Sequence, residues 1–179
     1  MMYNFNTTKQ GFTMIEMMVA VFIFTLALVA LMNIAAGGLK SSRESQNQVI
    51  AEYLALEAVE GARNIRDTQL VLVNESTTWD DIFDQDNCLS SGGNCSLILS
   101  GSDITLRPCN SCEVFYHPNF RDYKQFVNDN PGTGYEDTAF TRRITLNQLG
   151  SNPDEIIMEV FVEWSGGSVS YAQDLYLWL

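Results

Sequence analysis

Residues 17–39 form a run of 23 residues without a charged side chain, and this run constrains the fold more than any other part of the sequence. A helix rises about 1.5 Å per residue, so such a run extends roughly 34 Å, which is enough to cross the core of a bilayer. The run is apolar on all sides of the helix, as a membrane or the interior of an assembly requires. We therefore expect a helix that is surrounded by lipid or by other apolar helices.

One acidic residue, Glu16, stands directly before this run. An acidic side chain deep in a membrane helix costs about 2.5–3.5 kcal/mol on insertion scales, so such a residue usually has a use. A carboxylate in an apolar bundle is tolerated when it is paired, because breaking a buried pair costs about 3–5 kcal/mol. The alternative is a carboxylate that lies in the headgroup region of a plain single-pass anchor.

The order of the N-terminal segments differs from that of a secretory signal peptide. A signal peptide has cationic residues, then an apolar stretch, then a cleavage site with small residues. Here a short polar segment ends at Gly11, and the apolar helix follows it. A cut after Gly11 would therefore remove this segment and leave the helix on the mature protein.

Six residues are set at fixed spacing around this junction, namely Lys9, Gly11, Phe12, Thr13, Ile15 and Glu16. With the long apolar helix after them, they resemble the N-terminus of type IV prepilin-like proteins, which include type IV pilins, minor pilins and secretion-system pseudopilins. The resemblance implies that a membrane prepilin peptidase cuts after Gly11 and N-methylates Phe12. It also implies an assembly role for Glu16, which would pair with the new amine on Phe12 of a neighbouring subunit.

The charge balance narrows the possible functions. The chain has 22 acidic and 10 basic residues, and a cut after Gly11 would remove only Lys9 among them, which leaves a net charge of −13. This balance argues against a nucleic-acid partner and fits an extracellular head.

The sequence shows no Ser/His/Asp set, histidine metal site or phosphate loop, so we expect no enzyme and no cofactor. His117, the only histidine, is expected to be a surface or hydrogen-bonded residue.

The four cysteines are Cys88, Cys95, Cys109 and Cys112. If the prepilin-like N-terminus places them outside the cytoplasm, two disulfides are expected. Three pairings are possible, and we favour the one that joins neighbours in sequence, Cys88 with Cys95 and Cys109 with Cys112. A zinc site is an alternative, although only the second pair has typical zinc spacing, and a CxxC redox centre lacks a thioredoxin-like context.

The hydrophobic pattern predicts an α+β fold. Residues 12–66 are expected to form one long helix whose second half is amphipathic, with a stripe against the head at Val49, Tyr53, Leu56, Val59, Ala62 and Ile65. Gly37 and Gly38 are the place where this helix would most easily bend or melt, unless they serve close packing. We expect four segments: a leader (1–11), a transmembrane and assembly helix (12–38), the amphipathic half (39–66) and a globular head (67–179).

The head is expected to carry a pilin-like antiparallel sheet. Residues 70–73 either continue the helix or open a strand, and a capped short helix should run to residue 83. Short strands are expected at 96–99, 104–106 and 113–116, and longer ones at 139–149, 156–165 and 168–179. In the strand at 156–165 alternate residues are apolar, and residues 166–167 should make the last turn.

The segment ALEAVEGARNIRD in the second half of the helix is similar to minor pilins of the type IV pilus modification group. The resemblance implies a structural subunit. It also implies other pilin subunits, the prepilin peptidase and the cytoplasmic membrane as partners. The chain would start as a single-pass membrane precursor and end in a surface filament. Two alternative functions remain, a pseudopilin of type II secretion and a membrane-tethered binding protein.

A calcium site in the head is a weaker alternative to a solvated acidic face. Its candidate ligands are Asp80, Asp81, Asp84, Asp86, Asn87, Asn128, Asp129 and Asn130.

Overall fold

The computed structural model describes residues 11–72, 78–83, 88–89, 93–101, 103–127, 130–148 and 154–177. The first ten residues of the predicted leader lie outside the described residues. The chain divides into two units, Met1–Glu44 and Ser45–Leu179.

The first element is α1, a helix of 59 residues from Met14–Leu72. It ends beyond residue 66, where the sequence predicted its end, so the segment at 70–72 continues the helix. The helix is also unbroken at Gly37 and Gly38, so the expected bend or melting is not found there. Among the described residues, no atom lies within 4 Å of a Cβ built on either glycine, so neither glycine is packed closely against another described part of the chain.

The predicted stripe of α1 is wrong in its first half. Val49, Tyr53 and Leu56 are 50%, 70% and 45% exposed. The side that is buried consists mostly of small residues, namely Ala51, Leu54, Ala55, Ala58, Val59, Gly61, Ala62 and Ile65. Small side chains let the helix backbone approach the sheet closely, and a Cβ on Gly61 would lie only 2.7 Å from Leu97 Cδ2. Val49, Tyr53 and Leu56 therefore lie on the opposite, outward face.

After α1, the described residues contain a short helix and seven strands. They are α2 (Trp79–Phe83), β1 (Cys95–Ser100), β2 (Asp103–Pro108), β3 (Glu113–His117), β4 (Asp122–Lys124), β5 (Glu136–Gln148), β6 (Glu155–Trp164) and β7 (Gly167–Tyr176). The architecture is α+β and pilin-like, as predicted. The sequence missed β4, which has only three residues, and started β5 three residues too late.

All seven strands belong to one antiparallel sheet in which β5 is central. Strand β6 pairs with β5 and with β7, while β3 and β1 pair with β5 along its other edge. The hairpin between β6 and β7 pairs Trp164 with Gly167, so its turn consists of Ser165 and Gly166 rather than the two glycines predicted.

The core lies between the sheet and the second half of α1. Ile156, Met158, Val160 and Val162 of β6 are completely buried, so the predicted alternation of this strand is confirmed. Most of the other buried apolar side chains, including those of α2, join them in one cluster. Apolar surface removed from water contributes about 25 cal/mol per Å², so this cluster provides the main stabilisation of the head.

The four cysteines form two disulfides, Cys88 with Cys95 and Cys109 with Cys112. This is the pairing that the sequence favoured. No cysteine is left to bind zinc through a free thiolate.

Candidate processing and assembly segment

The residues before α1 form a helix cap. The Thr13 carbonyl accepts hydrogen bonds from the backbone N–H groups of Glu16 at 3.1 Å and Met17 at 3.3 Å. The Glu16 carboxylate accepts from the Thr13 backbone N–H, and the Thr13 hydroxyl oxygen accepts from the Glu16 N–H, both at 3.4 Å. This reciprocal pattern is a capping box, which satisfies backbone donors that a helix start leaves without partners.

The cap fixes the position of the predicted cleavage bond relative to the helix. Because α1 begins at Met14, the peptide bond between Gly11 and Phe12 lies outside the helix. Within the part of the chain that the structure describes, no atom lies within 4 Å of a Cβ built on Gly11, and Phe12 is 77% exposed. A peptidase could therefore reach this bond without unwinding α1.

The apolar part of α1 is exposed along its whole length. All of residues 11–42 are exposed, and the large apolar side chains from Met14 to Leu39 are 40–84% exposed. This is the one helix of the described residues that is long and apolar enough to span a membrane, with a mean hydropathy of 2.5 in its most apolar window. Such an exposed surface is unfavourable in water, so lipid or other apolar helices must cover it.

The predicted processing and assembly residues therefore occupy one short segment. Gly11, Phe12 and Glu16 lie within six residues at the start of α1, and Thr13 joins them through the capping box. In the sequence, Thr13 is recognisable only as one member of the motif. The spacing of a threonine three residues before a glutamate was the signal that could have identified the cap.

The head offers no alternative metal centre among the residues that the structure describes. His117 is mostly buried, with its ring 4.4 Å from that of Phe120 and 4.8 Å from that of Tyr135. Its Nδ1 accepts the Phe120 backbone N–H at 3.4 Å, so the imidazole is a hydrogen-bonded part of the β3–β4 turn.

The proposed calcium ligands are only partly described. Asp81 caps α2, because its carboxylate accepts the backbone N–H and hydroxyl of Thr78 at 2.9 and 2.8 Å. These hydrogen bonds lower the pKa of Asp81 below its ordinary value of 3.8. Five of the candidate ligands lie outside the described residues, namely Asp84, Asp86, Asn87, Asn128 and Asp129.

A buried polar network, which the sequence analysis missed, connects α1 to the sheet. Arg142 of β5 is 1% exposed, and its Nη1 donates to Glu57 Oε2 at 2.6 Å and to the Leu54 carbonyl at 3.0 Å. Its Nε donates to Gln125 Oε1 at 2.9 Å, and the same oxygen accepts the Leu97 N–H at 3.1 Å. Burial lowers the pKa of Arg142, and the nearby Glu57 carboxylate opposes that effect.

The register of β5 was the available signal for this network. Phe140, Ile144 and Leu146 alternate toward the core, and Arg142 falls in the same series. A charged residue at a buried register position needs a partner, because an unpaired buried charge is highly unfavourable. The partner, Glu57, is 85 residues away in the sequence, so only the fold reveals it.

Comparison with known proteins agrees with the geometry at the start of α1. Residues 6–32 match the family model described as a prokaryotic N-terminal methylation motif. The match and the long apolar helix are consistent with a type IV prepilin-like protein, and the motif points to a structural subunit that is a prepilin peptidase substrate. No curated protein and no solved structure matches the chain.

Proposed function

We propose that this protein is a structural subunit of a type IV pilus or a related filament. It is made as a prepilin in the cytoplasmic membrane, cut after Gly11, N-methylated on Phe12 and assembled through α1 into a filament on the cell surface. The observation that carries the proposal is the capping box at Thr13 and Glu16, which leaves the Gly11–Phe12 bond outside the helix and next to an uncovered apolar surface.

Glu16 has two possible partners in this proposal. Within one chain it accepts hydrogen bonds from Thr13, and in a filament its carboxylate would pair with the amine of Phe12 on a neighbouring subunit. Glu16→Gln separates the two, since glutamine also serves in a capping box but carries no charge. The variant should therefore be processed but enter filaments poorly, because the neighbouring amine would have no counter-charge in an apolar environment.

The test of processing is to coexpress the chain with a prepilin peptidase and to measure the intact mass of the product. Gly11→Leu should leave the chain uncut, because a bulky side chain would replace the small residue at the cleavage point. Gly38→Leu is the matched control, since it adds the same side chain at a helix position with open space around it. Equal cleavage of both variants would contradict the proposal.

Within this proposal we place the chain among minor pilins, because the segment ALEAVEGARNIRD is similar to the modification group of minor pilins. A minor pilin should be sparse in sheared filaments and present at a defined position. Dependence of a secreted enzyme on the chain would instead identify a type II secretion pseudopilin. A full-length chain that stays in the membrane despite an active peptidase would identify a tethered binding protein.

A further inference from the structure

The loop between β2 and β3 is closed by the disulfide between Cys109 and Cys112. Cys112 has a φ of 57°, in the left-handed region that is sterically unfavourable for a residue with a side chain. The backbone N–H of Cys109 is also held, because it donates to the Asn94 carbonyl at 3.0 Å. The disulfide therefore ties an unfavourable conformation at Cys112 to Cys109, which is held at the residue before β1.

The conformation of Cys112 matters because of where its carbonyl points. This oxygen accepts the backbone N–H of Arg142 at 2.9 Å and the side-chain amide of Gln125 at 2.9 Å. Gln125 is 2% exposed, so water cannot replace a lost acceptor there. A rotation of Cys112 out of the left-handed region would leave both donors without this partner.

Gln125 passes the effect on to α1. Its amide nitrogen also donates to the Arg142 carbonyl at 2.7 Å, and its oxygen accepts Arg142 Nε at 2.9 Å, so it holds Arg142 at both ends. Arg142 in turn contacts α1 through the Leu54 carbonyl and the Glu57 carboxylate. Three successive contacts thus lead from Cys112 to the helix: Cys112 with Gln125, Gln125 with Arg142, and Arg142 with α1. All of them lie within the second unit.

We propose that the Cys109–Cys112 pair is a redox-sensitive lock on the packing of α1 against the sheet. Oxidation joins the two sulfurs and releases two protons and two electrons, which a small or protein disulfide accepts by thiol–disulfide exchange. A dithiol reverses the step. Because Cys109 is partly exposed and Cys112 is buried, we expect the dithiol to attack the Cys109 sulfur. In the reduced chain Cys112 leaves the left-handed region, Arg142 is held less firmly and the helix segment around residues 54–58 opens more often.

The test is hydrogen exchange of the backbone amides of residues 54–58 in the full-length protein in detergent micelles. Two double variants are compared with the wild type: Cys109→Ser with Cys112→Ser, and Cys109→Ser with Cys112→Gly. Both lose the same cross-link, but glycine adopts positive φ at no steric penalty. Any difference between them therefore reports the conformation at position 112 and not the loss of chain entropy.

The serine variant should exchange about 5- to 30-fold faster at residues 54–58, the factor that corresponds to about 1–2 kcal/mol. The glycine variant should return close to the wild-type rate. Reduction of the wild type by a dithiol, with alkylation to confirm that Cys109 and Cys112 have reacted, should reproduce the serine result. If only the serine variant fails to fold, this also supports the lock.

Two results would overturn the proposal. One is an unchanged exchange rate in the serine variant, which would show that the disulfide does not hold the helix contact. The other is equally fast exchange, or equal failure to fold, in both variants, which would show that the cross-link acts without the conformation of Cys112.

Discussion

The ion pair between Glu57 and Arg142 allows a prediction in which the two single variants differ. Arg142 is 1% exposed, whereas the Glu57 side chain is 37% exposed. Glu57→Ala leaves a buried guanidinium that cannot lose its proton, while Arg142→Met leaves a carboxylate that water can reach. Removal of the acidic residue should therefore destabilise the head more than removal of the basic residue.

The expected magnitudes follow from this difference in burial. Breaking a fully buried pair costs about 3–5 kcal/mol, and partial access of water to the vacated site reduces this to about 2–4 kcal/mol for Glu57→Ala. Arg142→Met loses three hydrogen bonds of about 1 kcal/mol each, and the removal of a buried charge offsets part of this, so about 1–2 kcal/mol is expected. Adding Arg142→Met to Glu57→Ala should restore part of the lost stability.

The assay is urea unfolding of the full-length chain in mild detergent, followed by near-ultraviolet circular dichroism to report the tertiary packing of the head. Glu60→Ala is the matched control, because Glu60 lies on the same helix and pairs with Arg63 at the surface, where the two side chains are 66% and 39% exposed. Its loss should change the free energy of unfolding by less than about 1 kcal/mol. The reasoning is refuted if Arg142→Met is the more destabilising variant, or if the double variant shows the plain sum of the single effects.

Two further predictions concern the head. The carboxyl pKa of Asp81, measured by NMR titration, should lie below 3.8 and rise in Thr78→Val. Because the folded-state pKa is lower than the unfolded-state pKa, the cap stabilises α2 above the unfolded-state pKa, and this stabilisation is lost as the pH falls through the folded-state pKa. An unshifted pKa would contradict the cap. Gly61→Val should destabilise the head by about 1–3 kcal/mol because its side chain would meet Leu97, and Leu97→Ala should relieve part of this in thermal unfolding, whereas independent effects would show that the close contact is absent.

Much of the fold could be predicted because its elements carry local signals. The uncharged run before residue 40 identified α1, and the apolar alternation at Ile156, Met158, Val160 and Val162 identified β6 and its buried face. The start of α1 was also recognisable from a few residues at fixed spacing. Each of these signals depends on neighbours in the sequence.

The features that sequence reasoning missed depend on distant parts of the chain. Hydrophobicity favoured Tyr53 and Leu56 over alanines for the buried stripe of α1, but close approach to the sheet selects the smaller side chains. Strand β4 has three polar or aromatic residues and no alternation to reveal it. The burial of Arg142 depends on Glu57, Gln125 and the loop that carries Cys112, which meet only in the folded head.

The measurement that tests the central claim most directly is the intact mass and N-terminal sequence of the protein isolated from cells with an active prepilin peptidase. We expect a chain that starts at Phe12 and carries one added methyl group on its amine, because the Gly11–Phe12 bond lies outside α1. A chain that still starts at Met1 and keeps the whole leader (1–11) under these conditions would contradict the claim that this segment is a processing site.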